Sequence, residues 1–148
     1  VEINTEDHAN VLLRFDNGNK GVVTVSQVAA GRKNRLNIEI SGSKANLEWC
    51  SEKPNELWIG KRETANQQLM KDPSLFYPEA GGLISFPGGH NEGFPDTSKQ
   101  MFKEVYAAVA AGKQPENPTF PTFEDGLREL LICERIIESH RAQKWVKI

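Results

Sequence analysis

The residues best suited to chemistry lie in one glycine-rich loop, Gly88-Gly89-His90-Asn91-Glu92-Gly93. An imidazole group titrates near neutral pH, so His90 can serve as an acid, a base or a donor to a hydroxyl group. The flanking glycines allow the backbone to approach a ligand closely. We therefore predict that His90 contacts a substrate. The alternative is that His90 only orders the loop, and Glu92 is equally suited to capping a helix that follows.

A second polar cluster, Arg32-Lys33-Asn34, lies at a predicted turn between two strands. In a functional interpretation, Arg32 reaches a pocket or a partner subunit. In the simpler interpretation, the cluster is an exposed basic turn. Both remain open at the level of sequence.

The composition of the chain excludes several classes of protein. A chain of 148 residues with a formal net charge of −2 fits one domain. Its scattered Lys and Arg residues form no basic stripe, so we expect no nucleic-acid partner. No apolar run approaches the roughly 20 residues of a membrane span. The two cysteines indicate no disulfide framework, and the three dispersed histidines indicate no metal site. We expect a cytoplasmic protein, and the start at Val1 without Met indicates a piece of a longer chain.

Alternation of apolar and polar residues predicts the strands that must support these loops. In residues 36–41 the apolar side chains of Leu36, Ile38 and Ile40 alternate with polar ones, which is typical of a sheet with one apolar face. The opposite face carries polar and aromatic residues and is either solvated or an interface. Further alternating segments, separated by turn residues, lie at 10–16, 20–30, 46–50, 57–59, 67–70 and 145–148.

Two helices are predicted after a long loop rich in Pro and Gly. This loop spans residues 72–95, and we expect it to be mobile or remodelled unless it closes against a part of the protein outside this chain. Apolar spacing predicts one helix over residues 96–111, and Thr122 predicts the N-cap of a second helix that ends near residue 142. The resulting fold class is α+β: a mostly antiparallel open sheet of five to seven strands with two helices on one face.

Four segments in order resemble the C-terminal domain of the Gfo/Idh/MocA oxidoreductases, the family of glucose-fructose oxidoreductase and inositol dehydrogenase. They match the first strand and hairpin of that domain, its strand–Gly–strand unit, the loop before its late helix, and its closing helix and strand. The segments are Leu12 to Gly18, Leu36 to Trp49 with Gly42, Pro87 to Phe94, and Phe120 to Gly126 with Ser139 and Trp145-Val146.

The resemblance implies that residues 1–148 form the C-terminal substrate and oligomerisation domain of a two-domain enzyme. An upstream dinucleotide-binding domain would hold NAD or NADP, and hydride transfer would take place at a hydroxyl-bearing carbon of a sugar or polyol. This domain would supply a wall of the substrate pocket. It would also form a homo-oligomer, a dimer or tetramer, through its open sheet face.

The candidate substrate-binding residues are His90, Asn91, Glu92 and Arg32, with Asn91 and Glu92 suited to sugar hydroxyls. The resemblance also implies which functions this chain lacks. The chain has neither a GxGxxG fingerprint nor the catalytic Asp-x-x-x-His helix of the family. We therefore expect no catalytic, cofactor-binding or metal-binding residues here, and no activity from this chain alone. The alternative is a non-enzymatic, self-associating sheet module that binds carbohydrate or protein.

One tripeptide, Glu52-Lys53-Pro54, matches the family's catalytic Glu-Lys-Pro in its letters only. In the family the tripeptide ends a strand of the dinucleotide-binding domain, whereas here Pro-Asn punctuation indicates an ordinary hairpin turn. We therefore predict that Lys53 is exposed to solvent.

Overall fold

The computed structural model describes residues 2–148, which form two compact units. The first unit contains the residues up to Arg32 together with Pro121–Ile148, and the second contains Lys33–Phe120. The α+β class is confirmed, and the six strands found among residues 2–148 fall within the predicted five to seven. They form two antiparallel sheets, one of two strands and one of four, and each compact unit contains one sheet and one long helix.

The first unit begins with a β-hairpin. Strand β1 (His8–Arg14) pairs with β2 (Lys20–Ser26), and Val11 lies opposite Val23. The connecting turn has Gly18 at φ 85°, the left-handed conformation that the Asn-Gly pair favours. Strand β2 ends four residues before its predicted end, because Ser26 Oγ accepts a bond from the amide of Val28 and takes the backbone out of the ladder.

The long helix of this unit is α3 (Phe123–Ala142). It ends at Gln143, which adopts the left-handed conformation with φ 51°. The predicted last strand, residues 145–148, is wrong: no strand pairing forms there. The left-handed cap and the bond from Ser139 Oγ to the carbonyl of Lys144 turn the chain at the helix end. Arg14 lies over the Trp145 ring, 4.0 Å from its centroid.

The apolar face of α3 is largely accessible to solvent. Leu127 and Leu130 are 59% and 68% exposed, whereas Ile132, Ile136 and Ile137 are half-buried. A two-stranded hairpin offers too little apolar surface to cover a 20-residue helix.

The second unit is built on a four-stranded antiparallel meander in the order β3-β4-β5-β6. Directly paired residues share a face of a sheet, so Ile38 with Trp49 and Ile40 with Leu47 mark the apolar face. The opposite, polar face carries the facing pairs Glu39–Glu48 and Glu48–Trp58. The strands are β3 (Asn37–Ser41), β4 (Ala45–Cys50), β5 (Glu56–Lys61) and β6 (Gln67–Met70).

A long segment leads from β6 to the second long helix. It contains a 3₁₀ turn (Pro73–Leu75) and a short helix, α1 (Pro78–Gly81), so the loop predicted as irregular has local order. Helix α2 (Phe94–Ala111) begins two residues before its predicted start and ends at Gly112, which has φ 66°. Within residues 2–148, none of the helices has the length and apolar character that crossing a bilayer requires.

Candidate functional site

The loop that carries His90 lies directly before α2. The amide of His90 donates to the carbonyl of Pro87 at 3.2 Å, and Gly89 adopts φ 80°. Imidazole Nδ1 lies 3.5 Å from the carbonyl oxygen of Gly88, and the His90 side chain is exposed. Asn91 is exposed as well. Both side chains are therefore accessible to a ligand.

Glu92, the next residue, has a different environment. Its carboxylate forms an ion pair with the Lys71 ammonium, and the two side chains are only 13% and 11% exposed. The other carboxylate oxygen accepts the backbone N–H of Ser85 at 2.7 Å. Lys71 Nζ also lies 3.4 Å from the carbonyl oxygen of Phe86. The Glu92 carboxylate is thus already bonded within the protein.

The pKa of Glu92 lies below the ordinary range of a glutamate. Desolvation is the largest single influence on this pKa and acts to raise it. The hydrogen bonds from Lys71 and from the amide of Ser85, together with the positive charges of Lys71 and Lys99, outweigh that influence and lower the pKa. Glu92 is therefore a carboxylate at neutral pH and accepts hydrogen bonds without donating one.

Asn55, in the turn between β4 and β5, binds the backbone of Glu92 at two points. Its Nδ2 donates to the Glu92 carbonyl at 2.9 Å, and its Oδ1 accepts the Glu92 amide at 3.1 Å. The backbone carbonyl of Asn55 also accepts the amide of Lys71 at 2.8 Å. One asparagine thus joins the strand turn, the end of β6 and the residue two positions before α2.

The N-terminus of α2 is capped by its own aspartate. The amide of Gly93 donates to Asp96 Oδ2 at 2.9 Å. The suggestion that Glu92 caps this helix is wrong, because the Glu92 carboxylate points to Lys71 and Ser85. Within the first turns of α2, Lys99 Nζ and Gln100 Nε2 donate to Ser85 Oγ at 2.5 and 3.0 Å.

The structure brings three of the four predicted substrate-binding residues together, because His90, Asn91 and Glu92 are consecutive. Arg32 belongs to the other compact unit, where its amide donates to the carbonyl of Ala29 in a turn. The prediction that Lys53 is exposed is confirmed, and its backbone bonds within the β4–β5 turn. Across residues 2–148, no group of three or more His, Cys, Asp or Glu side chains is arranged to hold a metal ion.

The roles of Asn55 and Lys71 could not be identified from the sequence. In the sequence, Asn55 belongs to a turn signal, and Lys71 directly follows the predicted strand 67–70. They lie 37 and 21 residues from Glu92 along the chain. A charged residue directly after a strand was the one available signal, and it does not identify a partner.

Comparison with known proteins defines the class of protein. A family model described as "Oxidoreductase family, C-terminal alpha/beta domain" matches residues 1–148. The chain therefore belongs to the Gfo/Idh/MocA oxidoreductase family and matches its C-terminal domain.

Among individual relatives, the chain is 26% identical to levoglucosan dehydrogenase of Pseudarthrobacter phenanthrenivorans over 99% of its own length and 37% of that protein. A structure of levoglucosan dehydrogenase in complex with NADH and levoglucosan superposes with a TM-score of 0.81 at 25% identity, covering 98% of this chain and 39% of that one.

Two further solved structures are similar. An oxidoreductase from Sinorhizobium meliloti gives a TM-score of 0.85 at 29% identity, over 95% of this chain and 41% of that one. An inositol dehydrogenase homologue from Azotobacter vinelandii, complexed with NADH and myo-inositol, gives 0.75 at 26% identity, over 92% and 38%. The chain thus spans about two fifths of the length of the relatives it matches.

Proposed function

We propose that residues 1–148 are the substrate and oligomerisation domain of an oxidoreductase that transfers a hydride between NAD or NADP and a sugar or polyol. The observation that carries this proposal is the match of the whole chain to the C-terminal domain of an oxidoreductase family. Two similar structures support it, one complexed with NADH and levoglucosan and one with NADH and myo-inositol.

The residues described here do not fit a dinucleotide. Pyrophosphate groups bind at helix N-termini that have free amides, usually after a glycine-rich turn. In this chain the carboxylates of Asp96 and Asp125 occupy the N-termini of α2 and α3, and a second negative charge would be repelled there. In our proposal the cofactor is therefore held outside this chain, and residues 1–148 alone are inactive.

The part of this domain in the reaction is to bind and orient the substrate. His90 and Asn91 are accessible and present hydrogen-bonding groups suited to hydroxyls. Arg32, in the turn of the other unit, is a separate candidate for a substrate or partner contact. A direct contact of Glu92 with a hydroxyl would have to compete with Lys71 and Ser85 for its carboxylate.

Turnover by the full-length protein tests this proposal. We expect NAD- or NADP-dependent oxidation of myo-inositol or levoglucosan, followed by the absorbance of the reduced cofactor. Replacing His90 by Ala should raise KM about tenfold, the effect of losing one or two hydrogen bonds to substrate. His140→Ala, which removes an exposed histidine on α3, is the matched control and should leave KM unchanged.

One result would contradict the whole proposal, and another would contradict only the role of His90. A full-length protein that binds neither NAD nor NADP would overturn the oxidoreductase and favour the sheet module that binds carbohydrate or protein. Alternatively, an unchanged KM in the His90→Ala variant would remove His90 from the substrate pocket while leaving the oxidoreductase in place.

We further propose that the polar face of the four-stranded sheet forms the homo-oligomer interface. Trp58 on this face lies along the sheet, and a Cβ atom on Gly60 would come within 2.5 Å of its ring. Tryptophans dominate the binding energy of many interfaces. Trp58→Ala should therefore reduce the mass measured by sedimentation, whereas Trp145→Ala, in the other unit, should not. An unchanged mass in the Trp58 variant would overturn this assignment.

A further inference from the structure

Lys71, Asn55 and Glu92 form a set of contacts that we name the Lys71–Asn55–Glu92 clamp. Asn55 holds the backbone amide and carbonyl of Glu92, and Lys71 holds its carboxylate. The clamp holds together the two ends of the segment formed by residues 71–92. All of its side chains are part-buried, in contrast with the exposed ion pair between Arg135 and Glu138.

We infer that the clamp is a positioning device for His90 and Asn91, an inference that rests on the proposed role of these residues in substrate binding. In it, Glu92 is a positioning residue whose carboxylate fixes the loop, and the substrate is contacted by the two residues before it. Lys71 and Asn55, which the sequence analysis did not single out, become functional residues of the site.

The backbone geometry supports this inference. His90 and Asn91 lie between two fixed points of the chain. On one side, the turn from Pro87 to His90 is closed by a backbone hydrogen bond of 3.2 Å. On the other side, Glu92 is bonded through its amide, its carbonyl and its carboxylate. A segment of two residues held at both ends loses little further conformational entropy when a ligand binds, and this is the energetic advantage of preorganisation.

The charges of the clamp support the positioning inference as well. The Lys71 ammonium neutralises the Glu92 carboxylate, so this ion pair adds no net charge beside the accessible part of the loop. Sugar and polyol hydroxyls are neutral and are recognised by directed hydrogen bonds. Removing either partner would leave a part-buried charge uncompensated, which costs more than losing an exposed pair.

The test uses the full-length protein with NAD and myo-inositol or levoglucosan, whichever it oxidises. The variants are Lys71→Met and Glu92→Gln, and the matched control is Glu138→Gln, which removes the acid of the exposed ion pair on α3. Two quantities are measured in each: the hydrogen exchange rates of the Ser85 and Glu92 amides, and the split of kinetic effects between KM and kcat.

We expect both clamp variants to increase exchange at these two amides by about 5- to 30-fold, the factor that corresponds to one or two kcal/mol. We expect KM to rise by a similar factor, with a smaller change in kcat, and no change in either quantity for Glu138→Gln. Lys71→Arg keeps the charge and should have a KM close to that of the wild type. This variant also keeps the inference testable if Lys71→Met fails to fold.

The outcomes separate the two proposals. If the wild-type protein oxidises a substrate but faster exchange leaves KM unchanged, the clamp is structural only and the positioning inference is overturned. Unchanged exchange in both variants would show that the clamp does not hold the loop, and would overturn it too. If the wild-type protein turns over no sugar or polyol with either cofactor, the proposed function itself fails.

Discussion

The two long helices begin in different ways. Helix α3 has a complete capping box, in which Thr122 Oγ1 accepts the amide of Asp125 at 3.3 Å and Asp125 Oδ2 accepts the amide of Thr122 at 2.8 Å. Helix α2 has only half of this arrangement. Gly93 donates its amide to Asp96, but it has no side chain with which to return a bond.

The position just before α2 is instead fixed by groups that are distant in sequence. The Lys71–Asn55–Glu92 clamp joins residues up to 37 positions apart, whereas every contact of the α3 cap lies within three residues. A local cap stabilises a helix terminus, and a long-range clamp also fixes the position of the loop relative to the sheet. The difference indicates that the contacts at the start of α2 fix the position of the loop, whereas those at the start of α3 stabilise only the helix terminus.

Among the substitutions that test this difference, Asn55→Ala is expected to have the largest effect on the stability of the folded protein. The change removes two hydrogen bonds to the Glu92 backbone, each contributing about 1 kcal/mol, so we expect a destabilisation of about 2 kcal/mol by urea denaturation. Asn66→Ala is the control, because Asn66 makes one exposed bond to the Lys61 amide within the same unit. Equal losses in the two variants would show that the clamp is no stronger than an ordinary turn contact.

Acidification should weaken the clamp, by less than the Asn55 substitution. The pKa of Glu92 is lower in the folded protein than in the unfolded chain, so the carboxylate contributes stability above the ordinary glutamate pKa of about 4.3. This contribution is lost as the pH falls through the lowered pKa. The effect is smaller because a protonated carboxyl group can still accept the Ser85 amide.

The comparison of wild type with Glu92→Gln isolates this contribution. The pKa values of Asp72 and Asp125 are also lowered by hydrogen bonds, from Ser74 and Thr122 respectively, and both proteins retain these groups. Stability measured by urea denaturation should fall more steeply for the wild type between about pH 5 and pH 3. Parallel curves would mean that the charge of Glu92 does not stabilise the folded state.

Replacing Thr122 by Ala tests the other side of the comparison. The change removes the acceptor for the Asp125 amide, and losses of N-cap residues cost about 1 kcal/mol. Thr122→Ser keeps the hydroxyl and should retain most of the stability. Hydrogen exchange should increase in the first turn of α3 and remain unchanged at Ser85 and Glu92. A change at those two amides would show that the helix starts are not independent.

Features that depend on local contacts could be predicted from the sequence, whereas features that depend on long-range contacts could not. The alternation of side chains correctly predicted the six strands, and the position of Thr122 correctly predicted an N-cap. Both predictions succeeded because they depend on interactions between residues that are close in sequence. The strand at residues 145–148 was wrong because its apolar pattern could not reveal the left-handed Gln143 that turns the chain. The glycine-rich loop could be singled out as a candidate site, whereas Lys71 and Asn55 could not, because their roles exist only once the fold brings them to Glu92.

The smallest expected effect comes from completing the cap that α2 lacks. Gly93 has φ −155°, an extended conformation open to any residue, and a Cβ atom built there meets nothing within 4 Å. Gly93→Ser would add the acceptor that Thr122 supplies in α3, and it would also restrict the unfolded chain. We expect a stabilisation of about 0.5 kcal/mol in urea denaturation. With Gly93→Ala as the control for the entropic part, a destabilisation by both Ser and Ala would mean that the loop needs the glycine for its path into the helix. The clamp, and not the cap, would then dictate how α2 begins.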